Sequence, residues 1–242
     1  MQYWAITDPG CVRPQNQDAY KAVRLDRNTL LCVVCDGVGG AKSGNVASTL
    51  AADIFCQDMA SSWKKGLDEK DAEDLMRKAA KLANFTVLDQ AREVEDFRGM
   101  ATTMVALLLR GQQATVLNIG DSRAYHIGST GIRQLTTDHT LVQMRISRGE
   151  MTPEEAERAP DKHVITRAIG ADTSVLCDLY RLDVTRGDHL LLCSDGLSNL
   201  VDEQEILFEI IHGEDAACCQ RLLDIAKNRG APDNVTSILV RV

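Results

Sequence analysis

An α+β fold, with antiparallel sheets covered by helices, is what the order of apolar patterns in this sequence predicts. Three observations carry it. Short strand-like runs come in groups, long helical segments come in groups, and no steady strand–helix–strand alternation links them. Hydrophobic residues are 44% of the 242 and charged residues 26%, the balance of an ordinary globular chain. At 4% aromatic, the core must be filled by aliphatic side chains. One domain over 1–242 suits this length.

The elements follow in order. Strands are expected near 3–7, 19–25 and 29–35. A helix begins near Ser43, with Val46, Leu50 and Ile54 at i, i+4, i+8. A second runs from about Asp71 to Val94, with Leu75, Ala79, Leu82 and Phe85 on one stripe. Strand-like runs return at 102–109, 113–119, 122–127 and 132–135. Residues 139–172 are more polar and irregular, a candidate flap, and Thr152-Pro153-Glu154-Glu155 within them is a good helix start. Strands at 175–183 and 188–193, helices at 203–211 and 214–228, and a last strand SILVRV complete the chain.

Several function classes are disfavoured. A net charge of −8 lacks the basic face that nucleic-acid binding needs. No run approaches the ~20 apolar residues of a membrane span. The start, MQYWAITDPG, has neither a basic n-region nor an apolar h-region, so a cytoplasmic protein is expected. Cys32 and Cys35 form a CxxC, but inside an apolar run, where strand alternation sends them to opposite faces. No second pair completes a zinc site. The eight cysteines therefore read as small buried hydrophobes in a reducing compartment.

The chemistry lies in acidic residues at strand ends. VVCDGVGG ends an apolar run at Asp36-Gly37, TVLNIGDS at Gly120-Asp121, and HLLLCSDG at Asp195-Gly196; Asp233 stands just before the last strand. One Asp-Gly is a turn. Four carboxylates at strand ends suggest one rim on which they converge. Clustered carboxylates raise one another's pKa unless positive charge sits among them. Divalent Mg²⁺ or Mn²⁺, which take oxygen ligands and keep waters, would resolve the repulsion. Glycines would let a backbone carbonyl approach an ion. Arg13, in a turn-rich stretch with Asp18 close behind, would suit a phosphate dianion by bidentate hydrogen bonding. Thr102 and Thr103 read as plain strand residues, His139 as a scattered histidine opening the flap, and Ser194 as no nucleophile, since neither GxSxG nor a paired histidine accompanies it.

These motifs resemble, in order along nearly the whole chain, those of the metal-dependent protein phosphatases of the 2C type (the PPM family) in their compact bacterial form. The resemblance runs through Thr7-Asp8-x-Gly10 with Arg13, Asn16 and Asp18; Asp36-Gly37-x-Gly39-Gly40 with Gly44, Ala47 and Ser48; and Gly99-Met100-Ala101-Thr102-Thr103. It continues through Gly120-Asp121-Ser122-Arg123-Ala124, Leu135-Thr136-x-Asp138-His139, Ser194-Asp195-Gly196-Leu197 and Asp233-Asn234-Val235-Thr236.

The resemblance implies a four-layer αββα fold, a central antiparallel β-sandwich flanked by helices, with a two-metal centre at one end. Asp36 would bridge the two ions and Gly37 would offer its carbonyl. Asp195 and Asp233 would complete the first site, and Asp18 would hold water at the second. Asp121, with Asp195, would form a third, weaker site. Arg13 would grip the phosphate, and residues 139–172 would border the site as the flap. The implied reaction is hydrolysis of phosphoseryl and phosphothreonyl proteins, by in-line attack of a water that bridges the two ions. The implied partners are phosphorylated proteins and a Ser/Thr kinase pathway that the enzyme opposes. A monomer is expected.

Three positions depart from the family pattern. Gln17 stands where Glu is frequent and adds no charge at the second ion, Val38 stands where animal members carry a histidine, and Asn45 replaces a frequent Glu. Two other readings compete: an inactive phosphoprotein-binding regulator, and a hydrolase of small phosphate esters.

Overall fold

The computed structural model describes residues 1–38 and 43–242. The chain runs β1 (Gln2–Asp8), β2 (Asp18–Asp26), β3 (Thr29–Val38), α1 (Gly44–Ser62), α2 (Glu69–Glu93), β4 (Ala101–Thr102), β5 (Met104–Arg110), β6 (Gln113–Ile119), β7 (Arg123–Gly128) and β8 (Gly131–Gln134). It continues with α3 (Leu141–Ser147), α4 (Pro153–Arg158), β9 (Asp178–Asp183), β10 (His189–Cys193), α5 (Asp195–Ser198), α6 (Glu203–His212), α7 (Asp215–Asn228) and β11 (Val235–Arg241).

Two antiparallel sheets form. One has the order β1-β11-β10-β7-β8; the other has β2-β3-β5-β6-β9, with β4 added beside β3. Alternation along β3 shows how they stack. Leu30, Cys32 and Val34 pack between the sheets, while Leu31, Val33 and Cys35 pack against α1 and α2. On the far side, Leu191, Cys193 and Leu239 of the first sheet pack against Ile206 and Ile210 of α6 and Leu222 and Leu223 of α7. The order is helices, sheet, sheet, helices, the four-layer αββα arrangement. Each central strand is buried on both faces, which is why it reads as a continuous apolar run and not as an alternating one.

Helix ends follow their capping chemistry. The Asp68 side chain accepts the Asp71 amide at the start of α2. Thr152 and Glu155 form a reciprocal capping box on α4, with Pro153 in the first turn.

The buried face of α2 differs from the expected stripe. Leu82 and Phe85 are 42% and 64% exposed, and the buried face is Ala72, Met76, Ala79, Ala80, Ala83 and Val87. Helix α2 lies close against α1, whose facing residues include Ala47, Ala51 and Ala52, and small side chains permit that approach. Bulky Leu82 and Phe85 are turned outward. On α1, likewise, Val46, Leu50 and Ile54 are only partly buried, beside a fully buried Ala51, Phe55 and Met59. Strand β9 begins at Asp178, three residues later than expected.

All eight cysteines are free thiols; six are buried, but Cys11 is exposed and Cys177 half-buried, which corrects the reading of all eight as core residues. Among the described residues no helix is long and apolar enough to cross a membrane.

Candidate active site

The rim of the sandwich gathers the predicted carboxylates. Strand β3 carries Asp36 near its end, where it pairs directly with Asp18, the first residue of β2. Like charges placed directly opposite on an antiparallel pair repel. Asp121 follows β6, Asp195 opens the short α5 after β10, and Asp233 lies two residues before β11. With Arg13 and Gly37, the residues Asp36, Asp121, Asp195 and Asp233 line one cavity of about 630 Å³. Asp18, the strand partner of Asp36, is 8% exposed.

The electrostatics are those of crowded, desolvated carboxylates. Burial pushes Asp36 well above the usual carboxylate range, and the charges of Asp18, Asp195, Asp121 and Asp233 add to the shift. Asp18 is pushed up to about 7, chiefly by burial, against the hydroxyls of Ser194 and Thr236. Asp121 also reaches about 7, through burial and then the charge of Asp195. Asp195 is raised by burial and by Asp233, while a hydrogen bond shared with Asp36 opposes this. Among the described residues a cation in contact with the cluster is Arg13, whose Nη2 donates to Asp233 Oδ2 at 2.7 Å. Arg13 is thus paired with a predicted ligand, and a phosphate would have to compete for the guanidinium.

Backbone hydrogen bonds fix these side chains. Thr103 is central: its amide donates to Asp36 O at 2.9 Å, its Oγ1 accepts the Asp36 amide at 2.9 Å, and that same Oγ1 bonds Ser122 Oγ at 2.7 Å. Thr102 Oγ1 donates to Asp36 O at 2.8 Å. The hydroxyls expected to be ordinary strand features are satisfied, but by the peptide of the central carboxylate. Ser194 Oγ donates to Asp18 Oδ2 at 2.7 Å and accepts the Thr236 amide, so it is a buried strut and no nucleophile. Asn234 holds the loop that carries Arg13: its Nδ2 donates to Pro9 O and Gln15 O, and its Oδ1 accepts the Gln17 amide. The family motifs contain Thr103 and Asn234, but a β-branched residue and an amide beside a strand carry no signal of this role by themselves.

The glycines have a reason in the fold besides the one expected. A Cβ on Gly37 would lie 2.1 Å from Gly44 O and 2.6 Å from Gln17 O. A Cβ on Gly196 would lie 2.0 Å from Asn234 O. Close backbone approach requires glycine at both positions, whatever binds in the cavity. Gly39 and Gly40 lie outside the described residues.

The donor set suits hard cations. It is rich in carboxylate oxygens and has Gly37 in its lining; a lining histidine, His163, places Nδ1 4.0 Å from Asp195 Oδ2. Asp18 Oδ1 is buried with no hydrogen-bond partner, as an oxygen meant for a cation or its water would be. Among the described residues no three His, Cys, Asp or Glu side chains stand in ready ligating geometry. Lys162 and His163, from the segment after α4, reach the same cavity. Neither stands out in the sequence, since a lysine and a histidine in a polar stretch look like surface residues.

The protein phosphatase 2C model matches residues 14–224. The chain belongs to the protein phosphatase 2C family. It is 34% identical over 239 residues to the serine/threonine phosphatase stp of Listeria monocytogenes, covering 97% of this chain and 93% of that protein. The solved structure of serine/threonine phosphatase Stp1 from Staphylococcus aureus superposes with a TM-score of 0.93 at 35% identity, over 100% of this chain and 94% of that one. The catalytic domain of PstP, solved with two manganese ions, has a TM-score of 0.85 at 33% identity, over 98% and 96% of the two chains. With such near full-length likeness, the enzyme class of this 2C-family chain is protein-serine/threonine phosphatase.

Proposed function

We propose that this 2C-family phosphatase removes phosphate from phosphoserine and phosphothreonine in proteins, depends on Mn²⁺ or Mg²⁺, and opposes a Ser/Thr kinase in the cytoplasm. The observation that carries the reading is the meeting of Asp18, Asp36, Asp121, Asp195 and Asp233 with Arg13 at one rim, where oxygen donors dominate and crowded, desolvated carboxylates raise one another's pKa.

Asp36, the Gly37 carbonyl, Asp195 and Asp233 would hold the ions, Asp18 would hold water beside the second, and Asp121 with Asp195 would hold a third. When bound, such cations supply the positive charge that makes water nucleophilic near neutral pH and offsets charge growing on the phosphoryl oxygens. Arg13 would leave Asp233 and bind the phosphate with two parallel N–H bonds, fixing it for in-line attack. No protein nucleophile is needed. Residues 139–172 would act as the flap of a single catalytic domain, and the open rim suits a phosphorylated side chain presented on a peptide. That retained set of charged residues favours an active enzyme over a phosphoprotein-binding regulator.

The test is a substrate panel with Mn²⁺. Phosphothreonine and phosphoserine peptides should be hydrolysed more efficiently than p-nitrophenyl phosphate. Arg13→Ala should lower kcat/KM on the peptides by about 10- to 100-fold, the worth of hydrogen bonds to a charged group. Small esters cleaved as well as peptides, with no sensitivity to Arg13, would favour the small-ester reading.

A further inference from the structure

Outside the carboxylate cluster, one heavily bonded polar residue beside the site is His139, a scattered histidine as far as the sequence alone can say. It is 6% exposed and stands where three segments meet. Its amide donates to Gly120 O at 2.9 Å, and its Nδ1 accepts the Gly120 amide at 3.0 Å, so one residue holds both the N–H and the C=O of Gly120. Gly120 precedes Asp121 on the cavity wall and has φ +106°. The Asn118 side chain adds a third bond, Nδ2 to Gly120 O at 3.3 Å.

The tautomer follows from the partners. An N–H donates to Nδ1, so Nδ1 carries the lone pair and the ring proton is on Nε2. Nε2 lies 3.0 Å from Asp178 Oδ2, at the start of β9, and donates to it. Arg167 Nη1 donates to Asp178 Oδ1 at 2.8 Å and also stands 3.0 Å from Nε2; a guanidinium only donates, so while Nε2 keeps its proton the second approach is a contact and not a hydrogen bond. The carboxylate is thereby held between the arginine and the imidazole. Burial holds His139 below the usual histidine range, consistent with a neutral ring. The carbonyl of His139 accepts the Thr166 amide at 2.7 Å and its hydroxyl at 3.1 Å. Adjacent Thr140 and Ile165 form a β-bridge, so the start of the 139–172 segment is tied at His139 to the stretch around Ile165.

We propose that His139 is a positioning residue: held in the Nε2–H form by Asp178 and Arg167, it fixes the backbone of Gly120, and so aims the Asp121 carboxylate into the cavity while anchoring the base of the 139–172 segment. The inference rests on the reading of Asp121 as a cation ligand.

The experiment compares wild type, His139→Ala, His139→Asn and Asp178→Ala in Mn²⁺ titrations by calorimetry, in kcat and KM on a phosphothreonine peptide, and in thermal melts. Asparagine can place Oδ1 where Nδ1 accepts the Gly120 amide. His139→Ala should weaken the weakest Mn²⁺ step and lower kcat by about 10- to 100-fold, the range for groups that orient metal ligands, with little change in KM. His139→Asn should recover most of both, and Asp178→Ala, which leaves the core contacts of His139 in place, should fall between. If His139→Ala does not fold, the Asn and Asp178 variants still decide. Folded variants with wild-type Mn²⁺ titration and kcat, or an Asn variant no better than Ala, would overturn the proposal. A wild type that neither binds Mn²⁺ nor turns over would overturn the functional reading and this inference with it.

Discussion

Asp36 is an acidic side chain near the end of a buried central strand, and the two threonines beside it hold it through its peptide. Three bonds from Thr102 and Thr103 fix its backbone, which leaves the carboxylate to face the cavity. Thr103→Val keeps the shape and removes the acceptor of the Asp36 amide and the partner of Ser122. It should lower the unfolding free energy by about 1–3 kcal/mol, the cost of leaving a buried donor unmet, which urea denaturation would measure; a loss below about 0.3 kcal/mol would show that the bond does not matter. At this scale the acidic residues were legible in the sequence: an Asp that closes one apolar run is an ordinary turn, but Asp closing run after run marks a shared rim. Thr103, Asn234 and His139 were not, because their importance lies in partners 67, 217 and 19 positions away in the chain.

The helices show where apolar pattern is informative and where it misleads. The element order, the antiparallel sheets and the capped start of α4 all follow from apolar runs and capping chemistry. The phase of α2 does not. Hydropathy ranks Phe85 and Leu82 above alanine, but the helix packs on α1 through Ala72, Ala79, Ala80 and Ala83, where close approach outweighs side-chain size. Met76→Ala should therefore cost about 2–5 kcal/mol, as for a buried methionine, while Phe85→Ser should change stability by under about 0.5 kcal/mol, as for a surface position. Thermal or urea unfolding of the two variants checks the phase; the opposite ranking would return Phe85 to the core. The same logic separates the two roles expected of glycine: Gly37 and Gly196 are demanded by neighbouring carbonyls, a contact between distant segments that no local pattern announces.

For the whole molecule, the site stores electrostatic repulsion that the fold must tolerate. Asp18 and Asp121 are raised to about 7, and Asp36 and Asp195 are raised too. A carboxyl whose folded pKa lies above its unfolded value contributes stability that is complete below the unfolded value near 4 and is lost as pH rises through the folded one. EDTA-treated protein should therefore melt at progressively lower temperature as pH rises from about 4 to beyond 7. Excess Mn²⁺ should flatten that decline, because cations stabilise the ionised cluster. Calorimetric melts across pH, with and without Mn²⁺, test this; a metal-free protein that gained stability over the same range would reverse the sign. The central claim is that the carboxylates around Asp36 make a metal-dependent phosphatase site. Its most direct measurement is hydrolysis of a phosphothreonine peptide by purified protein in Mn²⁺, in excess EDTA, and by Asp36→Asn in Mn²⁺. Release of phosphate that needs Mn²⁺ and falls at least about 100-fold in the variant, as for loss of a group that positions the reacting atoms, is the predicted result. Turnover that persists in EDTA or in Asp36→Asn, or no turnover by folded wild type in Mn²⁺, would contradict it.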